Sequence, residues 1–150
     1  MQLDCTKLCS SLIKIGTCRM SVEFENLIIK IDNFPILSEN SSLYDAISLM
    51  NFHKLGTVCI TDKNLNLKGI FTDGDLRRIF LKVQKPLSAI LIDDISKYMN
   101  KKPHFFLINN NTTRKDVVTY MKKNKIWDIP FIDQNDKLYG IIHLHNLLDG

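Results

Sequence analysis

The sequence predicts a domain of mixed helices and strands, of the α/β or α+β class, built from two tandem repeats with pseudo-two-fold symmetry. The segment that starts at Pro35 aligns without gaps with the segment that starts at Phe106, 71 residues later. In both copies apolar residues follow a serine or threonine at helical spacing. Two short β-prone runs then flank a turn rich in Asp and Asn. Two such units predict small sheets flanked by helices.

Identical residues recur along this single register. They include Asn40 and Asn111, Asp45 and Asp116, Met50 and Met121, Asp62 and Asp133, and Gly69 and Gly140. The register extends upstream, where Phe24 lies over Ile95. We therefore divide the chain into a leader of unknown role (1–23), a first repeat (24–82), a linker (83–94) and a second repeat (95–150).

A helix is predicted at the start of each repeat. Ser41-Ser42 and Thr112-Thr113 are residue types that favour helix N-caps. Apolar residues then recur every three or four positions, at Leu43, Ala46, Ile47 and Met50 in the first copy and at Val117, Val118 and Met121 in the second. This period is typical of an amphipathic helix.

A hairpin and a second helix follow. In the first repeat the β-prone runs 57–61 and 67–71 are joined by Asp62-Lys63-Asn64, residue types that tolerate turn conformations. The second helix begins at Thr72, and Asp75 three residues later completes a capping-box pattern. One unit alone leaves a sheet face bare, so the two repeats must pack together.

Composition limits the classes of protein. The chain has 150 residues, 45% of them hydrophobic, which is enough for one packed domain. No apolar run approaches the ~18 residues of a membrane span, and no secretory signal is recognisable. The net charge of +4 comes mainly from lysines mixed with acids, which argues against nucleic acid as a partner.

The cysteines indicate the compartment. Their spacing fits neither a disulfide framework nor a zinc ribbon: they are Cys5, Cys9, Cys18 and Cys59. Cys59 lies in an apolar strand and is predicted to be a core residue. A reduced, cytoplasmic protein is expected.

The repeat resembles the CBS motif (cystathionine-beta-synthase domain) over about residues 24–150. The resemblance rests on the Ser/Thr-capped helix, the strand that closes on Asp62, and the string Gly-Ile-Phe-Thr-Asp-Gly-Asp-Leu at 69–76. Two tandem copies resemble a CBS pair, or Bateman module. The string Phe-Thr-Asp-Gly-Asp-Leu-Arg-Arg at 71–78 is similar to the regulatory tail of the arabinose 5-phosphate isomerase family.

In that family the CBS pair follows a catalytic sugar-isomerase domain. Residues 1–23 are too few to form such a domain. The resemblance therefore implies a chain without catalytic residues that acts as a regulatory module. CBS pairs bind adenosyl nucleotides, or sugar nucleotides such as CMP-Kdo, in clefts between the repeats, so a ligand of this class is the expected partner and no cofactor is expected.

The resemblance carries two ligand-binding positions across. Thr72 and Asp75 match the family's Thr-x-x-Asp, in which the carboxylate can accept hydrogen bonds from both ribose hydroxyls while the helix start faces phosphate. Asp73 and Gly74 lie between them. Consecutive helical residues point about 100° apart, so we expect Arg78 alone of the two arginines to face the ligand.

Two further positions follow from analogy with related modules. Backbone groups near Ile36 and Thr57 are expected to read the edge of the base. Trp127 either packs at the interface of the repeats or stacks on a base.

The same residues allow a purely structural interpretation. Thr72 with Asp75 is also a capping box, which stabilises a helix by about 0.5 to 2 kcal/mol whether or not a ligand binds. At the equivalent positions the second repeat has His143 and Asn146. We therefore expect at most one good nucleotide site, the one built on Thr72 and Asp75.

Three functions stay open at this point: a nucleotide-sensing regulatory module, the detached regulatory portion of an arabinose 5-phosphate isomerase acting on a separate catalytic protein, and a ligand-free interaction module. His143 and His145 alternate on a strand end, but two histidines do not make a metal site, so none is expected. A homodimer is expected through apolar helix faces, which comprise Leu76, Ile79, Phe80, Leu147 and Leu148.

Overall fold

The computed structural model describes residues 22–108 and 112–148, so the predicted leader with Cys5, Cys9 and Cys18 lies outside the described residues, apart from its last two positions. The helices are α1 (Val22–Glu25), α2 (Leu43–His53), α3 (Asp73–Lys82), α4 (Leu87–Leu91), α5 (Arg114–Asn124) and α6 (Leu144–Leu148). The strands are β1 (Ile29–Lys30), β2 (Ile36–Ser38), β3 (Thr57–Thr61), β4 (Leu67–Thr72), β5 (Phe106–Leu107), β6 (Asp128–Ile132) and β7 (Leu138–His143).

The two repeats have the same local architecture. In the first, β2 pairs parallel with β3 and β3 pairs antiparallel with β4. In the second, β5 pairs parallel with β6 and β6 antiparallel with β7. Each hairpin is preceded by a long helix, α2 or α5, and followed by a second one, α3 or α6. The predicted order of helix, strand, strand and helix is confirmed in both copies.

The long helices begin as their sequences predict. Ser42 caps α2 and Thr113 caps α5, each in a reciprocal capping box with the aspartate three residues later. Lys54 and Lys125 end these helices in the left-handed conformation, and their amides bond the last carbonyls of the helix. Equivalent sequences thus produce equivalent helix ends.

The segments that lead into the repeats, 24–30 and 95–101, are exchanged. Strand β1 of the first lead-in segment pairs with β7 of the second repeat, with Ile29 opposite Ile141. Asn100 of the second lead-in segment forms a bridge with Ile70 in β4 of the first repeat. The two contacts are equivalent in the 71-residue register, so the exchange is reciprocal.

The hydrophobic cores follow this exchange. Phe24 and Ile28 are buried in the core of the second repeat with Val117 and Met121, and the Phe24 ring meets Phe131 edge to face. The buried Ile95 and Met99 complete the core of the first repeat. The core of each repeat is therefore completed by the lead-in segment that precedes the other repeat in sequence.

Two glycines at equivalent positions explain how the exchanged segments come so close. A Cβ on Gly140 would lie 2.6 Å from the backbone oxygen of Ile29, and a Cβ on Gly69 would lie 2.9 Å from that of Asn100. Such distances are shorter than any normal contact, so only glycine fits. The repeated Gly-Ile of the sequence marks the place where a foreign segment crosses each hairpin.

A third core joins the two repeats. It contains the buried residues Phe34, Cys59, Leu138 and Ile141. Cys59 is fully buried, and this burial raises the pKa of its thiol. The hairpin turns meet there, where the Leu138 amide donates to the Leu65 carbonyl oxygen at 2.8 Å. The core position predicted for Cys59 is confirmed.

Part of the predicted dimer surface is used inside the molecule. Ile79 and Leu147 are buried in the cores of their own repeats, so neither can contact a second chain. Phe80 and Leu148 remain about half exposed. The prediction was wrong for the buried pair because each short helix turns its apolar side to its own sheet.

Within the described residues, no helix has the length and apolar character that would let it cross a bilayer.

Carboxylates at turns and in the linker make the fold sensitive to acid. The Asn66 side-chain amide lowers the pKa of Asp62, and the Lys137 backbone amide lowers that of Asp133. Lys97 and Tyr98 hold the pKa of Asp93 at about 2 through hydrogen bonds of 2.5 and 2.6 Å. A carboxylate with a lowered pKa stabilises the fold above its unfolded pKa of ~3.9, and this stability is lost as the pH falls through the folded value.

We therefore expect the melting temperature to hold from pH 7 to about 5 and to fall steeply below pH 4. Asp93→Asn removes one of these groups and is expected to melt lower at neutral pH but to lose less stability between pH 4 and pH 2. Thermal unfolding followed by circular dichroism measures both. Parallel curves for the variant and the wild type would contradict the assignment.

Candidate functional site

A cleft of about 590 Å³ opens between the start of α3 and the residues that lead into β6. One wall comes from the first repeat and the other from the second. Its lining residues are Gly56, Thr57, Ile70, Thr72, Asp73, Gly74, Asp75, Arg77, Arg78, Asn100, His104, Lys125, Ile126, Trp127, Asp128 and His143.

Six of the seven predicted ligand-binding residues border this cleft: Thr57, Thr72, Asp73, Gly74, Asp75 and Arg78. Ile36 does not. Its strand β2 lies on the far side of β3, where Ile36 is paired with Cys59 and packs against the core between the repeats. Ile36 is therefore not part of the cleft lining, and its role in the site stays a prediction.

The Thr72–Asp75 pair is held in a complete capping box at the junction of β4 and α3. The Asp75 carboxylate accepts from the Thr72 amide at 2.9 Å and from the Thr72 hydroxyl at 2.8 Å. The Asp75 amide in turn donates to the Thr72 hydroxyl oxygen at 3.3 Å. These bonds fix the carboxylate over the first turn of a ten-residue helix, whose N-terminus borders the cleft.

Arg78 occupies the remaining carboxylate oxygen. Its guanidinium donates to Oδ1 of Asp75, one helical turn back. The Asp75 side chain is only 13% exposed, whereas that of Arg78 is 59% exposed. The Arg78 side chain thus covers the Asp75 carboxylate. Because most of the arginine is exposed to solvent, it can move away from the carboxylate.

Both arginines border the cleft. The lining includes Arg77 as well as the expected Arg78, and which of the two contacts a ligand stays a prediction. Two guanidinium groups beside a helix N-terminus favour an anion.

The opposite wall holds a polar group that joins the repeats. Oδ2 of Asp128 accepts from the Thr57 hydroxyl at 2.6 Å, and Oδ1 lies 2.6 Å from Nδ1 of His143. The Asp128 side chain is 9% exposed. Thr57 and Asp128 are equivalent residues of the two repeats, so this bond crosses the pseudo-two-fold axis.

The sequence analysis did not identify Asp128 as a site residue, although two signals pointed to it. The hairpin register places Asp128 opposite His143. The repeat register makes Asp128 the counterpart of Thr57, and residues near a two-fold axis face their own counterparts. His143 was considered as the counterpart of Thr72 and as a metal ligand, but not as a partner of Asp128; within the described residues no three potential metal ligands come together.

Three further residues of this wall follow α5 or precede β5. Lys125 adds a cation, and His104 shares a hydrogen bond of 2.6 Å between its Nδ1 and the Tyr120 hydroxyl. The Trp127 side chain is 68% exposed although it is a large aromatic group. A cleft with a carboxylate, several cations and an aromatic ring can hold a ligand that carries hydroxyls, an anionic group and a planar ring.

Known proteins share this sequence pattern. Residues 28–82 and 92–150 match the family described as the CBS domain. An uncharacterised protein of Rickettsia prowazekii is 36% identical over 126 residues, 84% of this chain and 37% of that protein. Arabinose 5-phosphate isomerase KdsD of Yersinia pestis is 32% identical over 114 residues, 76% of this chain and 33% of the isomerase. The chain therefore spans about a third of the length of these relatives.

Solved structures share the fold. CBSX2 of Arabidopsis thaliana, determined in complex with AMP, has a TM-score of 0.69 at 23% identity, covering 82% of this chain and 90% of that one. The CBS pair of MJ0100, in complex with 5-methylthioadenosine and S-adenosyl-L-methionine, has a TM-score of 0.68 at 18% identity with the same coverage. With both repeats matched and the fold shared, the chain belongs to the CBS domain family as a tandem CBS pair.

Proposed function

We propose that this CBS pair is a non-catalytic regulatory module that binds a nucleotide, either an adenosyl nucleotide or a sugar nucleotide, in the cleft between its repeats. One observation carries the proposal. The cleft brings a fixed carboxylate, two arginines and a helix N-terminus together opposite an aromatic wall from the other repeat.

Each part of a nucleotide finds a matching group. The Asp75 carboxylate can accept hydrogen bonds from two neighbouring ribose hydroxyls once Arg78 leaves it. The released guanidinium then pairs with a phosphate, assisted by Arg77 and the amides at the start of α3. The ligand thus exchanges partners with an ion pair that already exists, so the carboxylate and the guanidinium each keep a hydrogen-bond partner.

The comparisons support the ligand class. CBSX2 and the CBS pair of MJ0100 have this fold and were determined with adenosyl compounds. A regulatory role is supported by the position of the cleft, whose walls belong to different repeats and meet at the Thr57–Asp128 bond. A ligand that favours one packing of the repeats shifts the population of that packing. We also propose that the module acts in the cytoplasm as a homodimer.

A second candidate is the regulatory portion of an arabinose 5-phosphate isomerase that works with a catalytic domain on a separate chain. The identity of 32% to such an isomerase over a third of its length favours it. Both candidates share the ligand site and differ in the partner that is regulated. Turnover of ribulose 5-phosphate by the purified chain would overturn the non-catalytic assignment.

The test is a thermal-shift panel of AMP, ADP, ATP, CMP and CMP-Kdo on the wild type and on Asp75→Ala. A ligand at 100 times its Kd stabilises the folded state by about 2.7 kcal/mol. We expect one of these nucleotides to raise the melting temperature of the wild type and to have no effect on Asp75→Ala.

The capping role of Asp75 needs a matched control. Asp116→Ala removes the acid of an equivalent capping box on α5, away from the cleft lining. Both variants are expected to lose about 1 kcal/mol of stability, but Asp116→Ala is expected to keep the full ligand shift. Asn146→Ala, at the position equivalent to Asp75, is also expected to keep it. If no nucleotide raises the melting temperature, the chain is instead an interaction module in which Thr72 and Asp75 serve only to cap α3.

A further inference from the structure

Trp127 is held by its backbone while its ring stands in solvent. Its carbonyl oxygen accepts from the Leu144 amide at 2.7 Å, and the preceding Ile126 amide donates to Met121 at 2.9 Å. The next residue, Asp128, is almost fully buried and bonded to Thr57 and His143. The backbone of Trp127 is therefore held at the cleft wall, and the residue lines the cleft with 68% of its surface exposed.

The counterpart of Trp127 in the first repeat is Gly56, so at this position only the second repeat carries an aromatic ring. Gly56 makes the same backbone contact as Trp127, since its carbonyl oxygen accepts from the Asp73 amide at 3.0 Å. Gly56 carries no side chain, and the Cβ of a larger residue would lie 2.4 Å from the tip of the Asp73 side chain, which can turn aside. Both residues border the cleft. The open side at Gly56 thus leaves room for a ligand, and the aromatic side at Trp127 offers it a surface.

An exposed indole beside cations suits one kind of ligand. A planar base stacks on the ring, while its phosphate reaches Arg77, Arg78 or Lys125. A sugar phosphate satisfies the cations and Asp75 but leaves the ring uncovered. The high exposure of Trp127 also argues against the alternative that its ring packs between the repeats.

We propose that Trp127 is the base-stacking platform of this cleft and that it makes the site select nucleotides over sugar phosphates. This inference rests on the proposed nucleotide site and adds the residue that decides ligand class. Stacking of a base on an aromatic side chain corresponds to about a 5- to 100-fold gain in affinity.

The chain itself supplies the probe, because Trp127 is its single tryptophan. Titrations with AMP, CMP and ribose 5-phosphate are followed by intrinsic fluorescence and, in parallel, by thermal shift. AMP or CMP is expected to change the indole emission with the same Kd that the thermal shift gives. Ribose 5-phosphate at equal concentration is expected to leave the emission unchanged and to bind at least 5-fold more weakly.

Variants separate stacking from folding. Trp127→Leu is expected to weaken nucleotide binding about 10-fold and to leave ribose 5-phosphate binding unchanged, whereas Trp127→Phe keeps most of the affinity. Phe52→Leu is the matched control, since Phe52 is 77% exposed on α2 and is not part of the cleft lining; it is expected to bind as the wild type does.

The outcomes distinguish this inference from the function on which it rests. If a nucleotide raises the melting temperature but neither changes the fluorescence nor binds Trp127→Leu more weakly, the platform is wrong and the nucleotide site stands. If ribose 5-phosphate binds as tightly as AMP, selection by the base is wrong. If no nucleotide binds to the wild type, both proposals fall.

Discussion

Gly140→Ala is expected to destabilise the fold by about 3 kcal/mol, which for a chain of this size lowers the melting temperature by roughly 6 to 12 °C. The added Cβ would lie 2.4 Å from Cγ2 of Ile28 and 2.6 Å from the backbone oxygen of Ile29. The side chain can turn aside, but the backbone oxygen belongs to a paired strand and cannot. The methyl group must therefore push β1 away from β7.

The same substitution elsewhere gives the control. Gly74 lies in the first turn of α3, where an added Cβ would be 3.4 Å from the Thr72 hydroxyl, an ordinary contact. Gly74→Ala is therefore expected to be neutral or to stabilise by about 0.5 to 1 kcal/mol. Gly69→Ala is expected to destabilise as Gly140→Ala does, because Asn100 crosses it in the same way. Denaturant unfolding of the three glycine variants measures the change in the free energy of unfolding.

The result tests the exchange of the lead-in segments. If Gly140→Ala and Gly69→Ala unfold with the wild-type midpoint, the close crossings do not exist in solution. If only one is destabilised, the exchange is not reciprocal. If both variants lose a similar amount of stability, the result supports a reciprocal exchange, in which the lead-in segment of one repeat completes the other.

Arg78→Ala is expected to weaken AMP binding about 10- to 100-fold and at the same time to strengthen the binding of adenosine. In the free protein Arg78 pairs with Asp75. AMP replaces both halves of this pair, because its phosphate takes the guanidinium and its ribose takes the carboxylate. Adenosine can replace only one half, so in the wild type it must displace Arg78 without offering it another anion. A charge-assisted contact of this kind contributes about 1.5 to 3 kcal/mol.

Isothermal titration with AMP and adenosine measures the two effects. Arg77→Ala is the control, since it removes a cation from the cleft lining but leaves the Asp75–Arg78 pair intact; it is expected to weaken AMP and to leave adenosine unchanged. Folding stability is expected to change little in Arg78→Ala, because an ion pair with a largely exposed partner contributes less than about 1 kcal/mol. Equal losses for AMP and adenosine would contradict the exchange of partners.

Features that depend on interactions between nearby residues were predicted from the sequence, whereas contacts between distant residues were found only in the structure. The N-caps at Ser42 and Thr113, the hairpins and the core position of Cys59 were predicted from the chain and are present in the structure. Each depends on residues within a few positions of one another or on the pattern of a single strand. The repeat register added the equivalence of the two halves.

The candidate site shows the same division. Five of its expected residues lie on the continuous segment from Thr72 to Arg78, where one motif places them together. On the opposite wall only Trp127 was considered, as a residue that could stack on a base, whereas Asp128 and Lys125 were not assigned because they come from the other repeat. Ile36 was assigned by analogy and is not part of the cleft lining, so its role stays a prediction.

By itself the sequence determined two copies of a helix, hairpin and helix unit, because turns, caps and periodicity act between neighbouring residues. Tertiary structure alone decided which lead-in segment completes which sheet, which residues meet across the pseudo-two-fold axis and which side chains face each other in the cleft. These contacts join positions far apart in the chain: Thr57 and Asp128 are 71 residues apart, and Ile70 and Asn100 are 30 residues apart. A strand can pair with either of two nearly identical sheets, and only the packing of the whole chain, with glycine at both crossings, selects one of them.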